Sequence, residues 1–333
     1  MLWLRQLRTR LPGMRNKQFE VMIMKKEYSF LSAEKETNIH VIVWTPESEV
    51  TGVVQIAHGM VEFIDRYDRF ARFLNQHGYV VVGNDHLGHG KSVQKEERLG
   101  FFRESGGNEA VIADMRKLHV ITRKHFPNVP YFLLGHSMGS FFTREYIEKY
   151  GSDLTGAVIM GTGSQPKSAL KMGKGLCRSI AATRGWRHRS QLVDLMCFGS
   201  YNKKFEPSRT GVDWLTKDEA IVDVYRVNPL NNFRFTVNGY YSMFSAIEAA
   251  QDPKRIDRIP KSLPLLLVSG SDDPVGDFGE GVRKAYDSYI KSGISDVRMH
   301  LFENDRHEIL NELDHDEVDR YILDWFKEHS QRK

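Results

Sequence analysis

Short apolar segments alternate with amphipathic helices along most of this 333-residue chain, and this alternation constrains the fold more than any other feature. Segments 53–57, 79–82 and 131–134 are apolar runs, and each precedes a segment with helical periodicity. Strands that are apolar on both sides are typical of a parallel sheet whose two faces are covered by helices. The sequence therefore predicts an α/β protein with a mostly parallel sheet.

The alternation is interrupted between residues 162 and 258, and it resumes with the apolar segments 265–268 and 297–302. The interrupted part favours helices, and the sheet pattern continues on both sides of it. We therefore interpret it as an insertion into one α/β domain, not as an independent domain.

The basic excess of the chain lies at its beginning. The formal net charge is +4, and residues 1–17 contain five arginines and lysines and no acidic residue. The rest of the chain is close to neutral and has no basic–aromatic patch, which argues against a nucleic-acid partner. Residues 1–24 are predicted to be a basic, disordered extension, with a weak membrane-surface anchor and an over-extended gene start as alternatives. At most, transient contact with a membrane surface is expected.

Cysteine usage and hydropathy bear on location. The chain has two cysteines, Cys177 and Cys197, which we expect to be free thiols in a reducing compartment. No apolar run reaches the length of about 20 residues that spans a bilayer. These features predict a cytoplasmic protein, with peripheral membrane contact as the alternative.

The motif Gly135-His136-Ser137-Met138-Gly139 follows an apolar strand and precedes a helix. A G-x-S-x-G motif in this setting is the nucleophile elbow of serine hydrolases, in which a tight turn exposes the hydroxyl. Ser137 is therefore the candidate nucleophile, and Gly135, His136 and Gly139 are expected to shape the turn.

A serine nucleophile needs a base and an acid that orients the base, and these follow it in the chain in such proteins. Asp272 and Asp273 come directly after the predicted strand 265–268, and the residues alone do not choose between them. His307 lies in the loop after the last predicted strand and is the candidate base.

The oxyanion of an acyl-transfer intermediate needs two backbone donors. Met138 stands at the start of the helix after the nucleophile, and Met60 lies in the loop after the strand 53–57. Their N–H groups are the predicted pair, and His58 and Gly59 are predicted to position this loop.

Two partial motifs lack a required residue. Gly90-Lys91-Ser92 resembles the end of a phosphate-binding loop, but Asp85 stands where the first glycine belongs. In the segment beginning His307-Glu308, Asn311 replaces the second histidine of a zinc-binding motif. The sequence predicts neither a cofactor nor a metal.

Together, the segments HGMVEFIDRYDRFARFL, NDHLGHGKS, LLGHSMGS, YRVNPL, GSDDPV and ENDRHEILNE resemble the monoacylglycerol lipase and lysophospholipase group of α/β-hydrolases. The resemblance implies the α/β-hydrolase fold, with a core of residues 25–161 and 241–333 and a helical cap of residues 162–240. It selects Asp273 as the acid of a triad with Ser137 and His307. Phe63 departs from the group, which commonly has a histidine there.

We therefore expect a serine esterase acting on monoacylglycerols, lysophospholipids or other small esters, with oligomeric state left open. Phe63, Trp186, Met196 and Phe198 are candidates for the substrate pocket. One alternative keeps the triad but cleaves peptides in the manner of serine aminopeptidases. Such an enzyme needs an acidic group for the substrate ammonium, and the candidates are Asp194, Asp213, Asp218, Glu219 and Asp223. A second alternative is a non-catalytic binding protein on the same fold.

Overall fold

A computed structural model describes residues 24–331 of the chain. At its centre is an eight-stranded sheet with the order β1-β2-β4-β3-β5-β6-β7-β8. The strands are β1 (Met24–Leu31), β2 (Asn38–Thr45), β3 (Gly52–Ala57), β4 (Tyr79–Asn84), β5 (Tyr131–His136), β6 (Gly156–Met160), β7 (Leu265–Gly270) and β8 (Val297–Phe302). Strand β2 is antiparallel to both β1 and β4, and the other neighbours are parallel. The predicted mostly parallel sheet is confirmed.

Helices cover both faces of this sheet, and further helices form the stretch between β6 and β7. They are α1 (Asp68–Gln76), α2 (Gly107–His125), α3 (Met138–Tyr150), α4 (Lys167–Arg184), α5 (Gln191–Phe198), α6 (Glu219–Val227), α7 (Val237–Ala250), α8 (Pro253–Ile256), α9 (Glu280–Lys291) and α10 (His315–Ser330). Val54 and Val158 pack with α1 and α10, whereas their neighbours Val53 and Ala157 pack on the other face with α2, α3, α7 and α9. Both faces are thus buried, which explains why the central strands are continuous apolar runs.

The parallel strands bring distant parts of the chain to one edge of the sheet. The loops after β3, β5, β7 and β8 all leave from the carboxyl ends of parallel neighbours. In open α/β sheets this edge is where ligands and reacting groups collect. His58, Ser137, Asp273 and His307 each lie in or near one of these loops.

Helices α4 to α8 fill the stretch between β6 and β7, where the strand pattern is interrupted. Most of α4 is exposed, with only Leu170, Gly173 and Cys177 buried. The predicted boundary at residue 240 falls inside α7, a largely buried helix that packs against α3 and α4. The division into cap and core stays a prediction, and of the predicted extension 1–24 only Met24 lies within the described residues.

Cys177 and Cys197 are both unbridged thiols, as predicted. Within residues 24–331, no helix is both long enough and apolar enough to cross a bilayer. The cytoplasmic location stays a prediction.

Candidate active site

Ser137 occupies a strained turn between β5 and α3. Its φ of 54° and ψ of −119° are unusual for a residue with a side chain. A Cβ atom on Gly139 would overlap the carbonyl of Ala57, and one on Gly135 would overlap Thr143 Oγ1. The two glycines are therefore required by close backbone approach, and the turn directs Ser137 toward a large cavity that it helps to line.

Asp273 and His307 come together from the loops after β7 and β8. His307 Nδ1 lies 2.9 Å from Asp273 Oδ2, and this carboxylate also accepts hydrogen bonds from Ser269 Oγ at 2.9 Å and Val275 N at 2.8 Å. Burial raises the pKa of Asp273, but His307 and these donors outweigh it, so the net shift of its pKa is downward. Asp273 is thus held as a carboxylate against His307.

Asp272, the alternative acid, is directed elsewhere. Its Oδ1 accepts a hydrogen bond of 2.6 Å from Lys204 Nζ, at the partly exposed side of the loop. Because consecutive residues of a turn face different directions, only Asp273 reaches His307. His307 also lines the same cavity as Ser137.

The loop after β3 lies directly against the nucleophile. A Cβ atom on Gly59 would stand 3.0 Å from Ser137 Cβ, and Met60 follows it along the wall of the cavity. Met138 is the first residue of α3, where backbone N–H groups have no acceptor within the helix. The structure thus brings the backbones of both predicted donors next to Ser137.

His58 and His136 are buried and link the loops around the nucleophile. His58 Nε2 accepts a 2.9 Å hydrogen bond from the N–H of His86, which leaves Nδ1–H to donate to the Gly59 carbonyl at 2.8 Å. Burial lowers the pKa of His58, consistent with a neutral ring. Burial also lowers the pKa of His136, but the carboxylate of Glu62 outweighs it and the net shift of its pKa is upward. His136 also lines the cavity, and His58 lies behind it against the loop of Gly59.

Sequence reasoning missed a buried ionic network behind the site. Glu62 accepts hydrogen bonds from the Gly59 N–H, from Tyr67 Oη at 2.9 Å and from Arg66 Nη1 at 2.9 Å. Arg66 also binds both oxygens of Glu308 at 2.7 Å, and this bidentate geometry suits a guanidinium. The network therefore ties the loop of Gly59 to the residue that follows His307. The i,i+4 spacing of Glu62 and Arg66 could have indicated their ion pair from the sequence. The pair of Arg66 with Glu308 could not be indicated in this way, because the two residues are 242 positions apart.

The cavity in front of Ser137 has a volume of about 730 Å³. Part of its buried wall is apolar and includes Leu170, Met243, Phe244 and Ile247. The buried polar or charged residues of the lining are Glu62, His136, Asn231, His307 and Glu308. This volume falls in the range of pockets that enclose small organic ligands. The arrangement suits a long apolar group whose reacting carbon lies beside Ser137.

The four predicted pocket residues separate into two pairs. Met196 and Phe198 line the cavity. Trp186 does not, because its ring packs against Tyr241 with centroids 5.4 Å apart. Phe63 is also outside the lining, since it ends the loop before the short 3-10 helix of residues 64–67. Neither residue lines this cavity, and a role for them in substrate binding stays a prediction.

Residues 213–217 are joined to the loop that carries the candidate base. The N–H of His307 donates to the Trp214 carbonyl at 3.3 Å, and the N–H of Glu308 donates to the Leu215 carbonyl at 2.7 Å. The indole of Trp214 lies 5.2 Å from the His307 ring. This segment of the predicted cap therefore fixes the position of His307.

A lysine completes this junction. Lys217 Nζ lies 2.7 Å from Asp305 Oδ1 and 3.8 Å from Glu312 Oε2. Asp305 is fully buried, and its Oδ2 has no hydrogen-bond partner among the described residues. Burial raises the pKa of Asp305 to about 6, although Lys217 acts in the opposite direction. The carboxylate therefore depends on this one ammonium when it is ionised.

Replacing Lys217 with methionine should destabilise the fold more at about pH 8 than at about pH 5. Because the pKa of Asp305 in the folded protein is above its ordinary value, Asp305 is mostly protonated below about 6 and then needs no cation. Above that pH the variant leaves an uncompensated buried charge, at a cost in the free energy of unfolding of about 2 kcal/mol. Urea denaturation of the wild-type and variant proteins at both pH values measures this loss in the free energy of unfolding. Lys204→Met, which removes the exposed partner of Asp272, is the control, and equal losses of K217M at both pH values would contradict the expectation.

Comparisons with known proteins agree with this geometry. Residues 48–314 match the family described as serine aminopeptidase, S33. The monoacylglycerol lipase of Mycolicibacterium smegmatis is 25% identical over 290 residues, which are 86% of this chain and 92% of that protein. An abhydrolase domain-containing protein of Dictyostelium discoideum is 27% identical over 303 residues, or 90% of this chain, and the chain spans 29% of its length.

A solved structure is also similar. The thermostable carboxyl esterase from Bacillus coagulans, in complex with glycerol, superposes with a TM-score of 0.85 at 28% identity, covering 91% of this chain and 98% of that one. The predicted fold and the predicted family resemblance are confirmed. The strained serine turn, the parallel sheet and the match over residues 48–314 lead to one conclusion: the chain belongs to the serine aminopeptidase S33 family of α/β-hydrolases.

Proposed function

We propose that this protein is a serine esterase that hydrolyses carboxylic esters with a lipid-like acyl group, such as monoacylglycerols or lysophospholipids. One observation carries the proposal. Ser137 and His307, the latter bound to Asp273, border a cavity of about 730 Å³, and part of its buried wall is formed by the apolar side chains of Leu170, Met243, Phe244 and Ile247. The monoacylglycerol lipase and carboxyl esterase similarities support the same substrate class.

In the proposed mechanism, Ser137 Oγ attacks the ester carbonyl while His307 takes its proton. Asp273 accepts a hydrogen bond from His307 Nδ1–H, which fixes the tautomer and stabilises the imidazolium. The N–H groups of Met60 and Met138 bind the oxyanion, and losing such a donor typically costs about 3–4 kcal/mol of transition-state stabilisation. His307 then protonates the leaving alcohol and activates the water that cleaves the acyl-enzyme.

The apolar wall favours an acyl group over a polar one. Leu170, Met243, Phe244 and Ile247 are each less than one-tenth exposed, so an acyl chain against them is removed from water. Each buried methylene contributes about 0.8 kcal/mol. Under this proposal, kcat/KM rises with acyl length until the chain fills the cavity.

A peptidase of this family needs a carboxylate that is free to bind an α-ammonium group. Asp194 lines the cavity, but Tyr240 Oη donates to it and Arg234 Nε lies 3.5 Å from its other oxygen. The other four acidic candidates also have partners within the protein. Asp213 accepts a hydrogen bond from Thr210, and Asp218 caps the N-terminus of α6. Glu219 and Asp223 both pair with Arg209. These contacts favour the esterase proposal over the aminopeptidase alternative.

Matched substrates test this proposal. The enzyme should hydrolyse p-nitrophenyl decanoate and monoacylglycerols, and the ester rate should exceed that of decanoyl p-nitroanilide by about tenfold or more. Lysophosphatidylcholine in the same panel separates the two lipid classes. Faster cleavage of alanine p-nitroanilide than of either ester would favour the peptidase alternative and refute the esterase proposal.

A further inference from the structure

Charge is divided sharply between two parts of the chain. Residues 162–240 contain 13 lysines and arginines against 6 aspartates and glutamates, a formal net charge of +7. Residues 25–161 and 241–333 together contain 29 basic and 36 acidic residues, a net charge of −7. The near-neutral body of the protein is therefore the sum of a basic cap and an acidic core. A division of this size acts on partners at a distance.

Most of the cap bases are not neutralised within the protein. Eight of the thirteen form no ion pair with any residue of 24–331, namely Lys167, Lys171, Arg178, Arg184, Arg187, Arg189, Lys203 and Arg226. Helix α4 alone carries five bases and no acidic residue. Seven of these eight bases are exposed, whereas the guanidinium of Arg189 donates to backbone carbonyls within the protein.

The same segment exposes large apolar side chains. Twelve large hydrophobic residues are exposed within residues 24–331, and half of them lie in the cap. The six are Met172, Leu192, Leu195, Met196, Val224 and Val227, and Val227 is 80% exposed. Apolar side chains among bases are typical of surfaces that bind a membrane interface.

The mouth of the substrate cavity opens on this surface. Met172 of α4 and Met196 of α5 line the cavity and are also exposed, by 62% and 40%. Arg234, in the loop before α7, is likewise both exposed and part of the lining. We call the bases and exposed apolar side chains of residues 162–240 the basic cap face. Met172, Met196 and Arg234 place part of this face at the entrance to the site.

We infer that the basic cap face docks on an anionic lipid bilayer and holds the cavity mouth against it. Phosphate and carboxylate headgroups neutralise the unpaired bases, and the apolar side chains enter the boundary between headgroups and acyl chains. A soluble polyanion would neutralise the bases but would leave the exposed apolar side chains in water. An anionic bilayer interacts with both groups of side chains and is therefore the partner we infer. The inference rests on the proposed function, since a lipid ester reaches the cavity from such a surface.

Vesicle flotation with the full-length Ser137→Ala protein tests docking without turnover. We expect binding to vesicles of equal parts phosphatidylcholine and phosphatidylglycerol, weak binding to phosphatidylcholine alone, and loss of binding in high salt. The triple variant Lys167→Glu, Lys171→Glu and Arg226→Glu should reduce partitioning about 100-fold, because each base near an anionic surface contributes several-fold. Leu192→Ser with Leu195→Ser should weaken binding and preserve its salt dependence.

The matched control changes three bases of α9, as Arg283→Glu, Lys284→Glu and Lys291→Glu. These exposed bases form no ion pair with residues 24–331, and the control changes the net charge of the protein by the same amount as the triple variant of the cap. Equal weakening by this control, or equal binding to neutral vesicles, would overturn the inference. Binding to heparin without binding to anionic vesicles would also overturn it and assign a soluble polyanion instead. Hydrolysis of p-nitrophenyl butyrate by the active protein is measured separately, so a failed esterase proposal is distinguishable from failed docking.

Discussion

Replacing Ser137 with alanine should abolish ester hydrolysis, with kcat falling by about 10⁶-fold. The residue is the hydroxyl-bearing side chain at the strained turn before α3, and it lies on the wall of the cavity. Without its oxygen no acyl-enzyme forms, and only binding and the backbone donors still assist attack by water. The release of p-nitrophenol from p-nitrophenyl decanoate and covalent labelling by a fluorophosphonate measure the loss.

Ser140→Ala is the matched control, because it removes the same atom one turn further along α3. Ser140 Oγ donates to the Ser137 carbonyl at 2.6 Å, so it supports the turn without facing the reaction. Its effect on kcat should be within about tenfold, the scale of one hydrogen bond. Wild-type labelling of S137A would refute the assignment of the nucleophile. If the wild-type protein itself neither labels nor hydrolyses any ester, the non-catalytic alternative is favoured.

The sheet and its helices were predictable because short stretches of sequence show, by their pattern of apolar residues, which side chains are buried. The segment Gly156–Met160 is buried on both faces and is accordingly an unbroken apolar run. Helix ends were less well predicted. The terminal turns of α10 are mostly polar, so the apolar periodicity of the sequence does not mark where this helix begins and ends.

Contacts between distant residues were harder to predict. Ser137 and His307 could be named from local motifs, but the residues alone left Asp272 and Asp273 equivalent. The choice depends on which way each carboxylate points from one turn, toward Lys204 or toward His307. Only the fold, or resemblance to a known family, carries that information.

Aromatic residues of the insertion were the least predictable part of the site. Trp186 and Phe198 are both large and apolar, and sequence alone does not indicate which side of a helical layer each faces. Phe198 lines the cavity, whereas Trp186 packs on Tyr241. The family resemblance thus implied a substrate pocket, but the residues did not indicate which aromatic side chains line it.

Asp273→Asn should lower kcat by about 10⁴-fold while the fold is retained. An amide at this position can still face His307 Nδ1, but its N–H₂ group favours the tautomer that cannot accept the Ser137 proton. Asp273 is completely buried and holds three hydrogen bonds, so the negative charge that stabilises the imidazolium is also lost. The pH profile of kcat and the circular dichroism spectrum separate this effect from misfolding.

Asp272→Asn supplies the sharpest comparison, since it makes the same chemical change one residue earlier. Asp272 is partly exposed and binds Lys204 on the surface, an interaction typically worth less than about 1 kcal/mol. Its kcat should therefore stay within about threefold of the wild-type value. Because both variants lose one negative charge from the same turn, a general electrostatic effect would lower both rates alike. A large loss in D273N alone would instead identify the carboxylate that acts through His307, and the reverse pattern would move that role to Asp272.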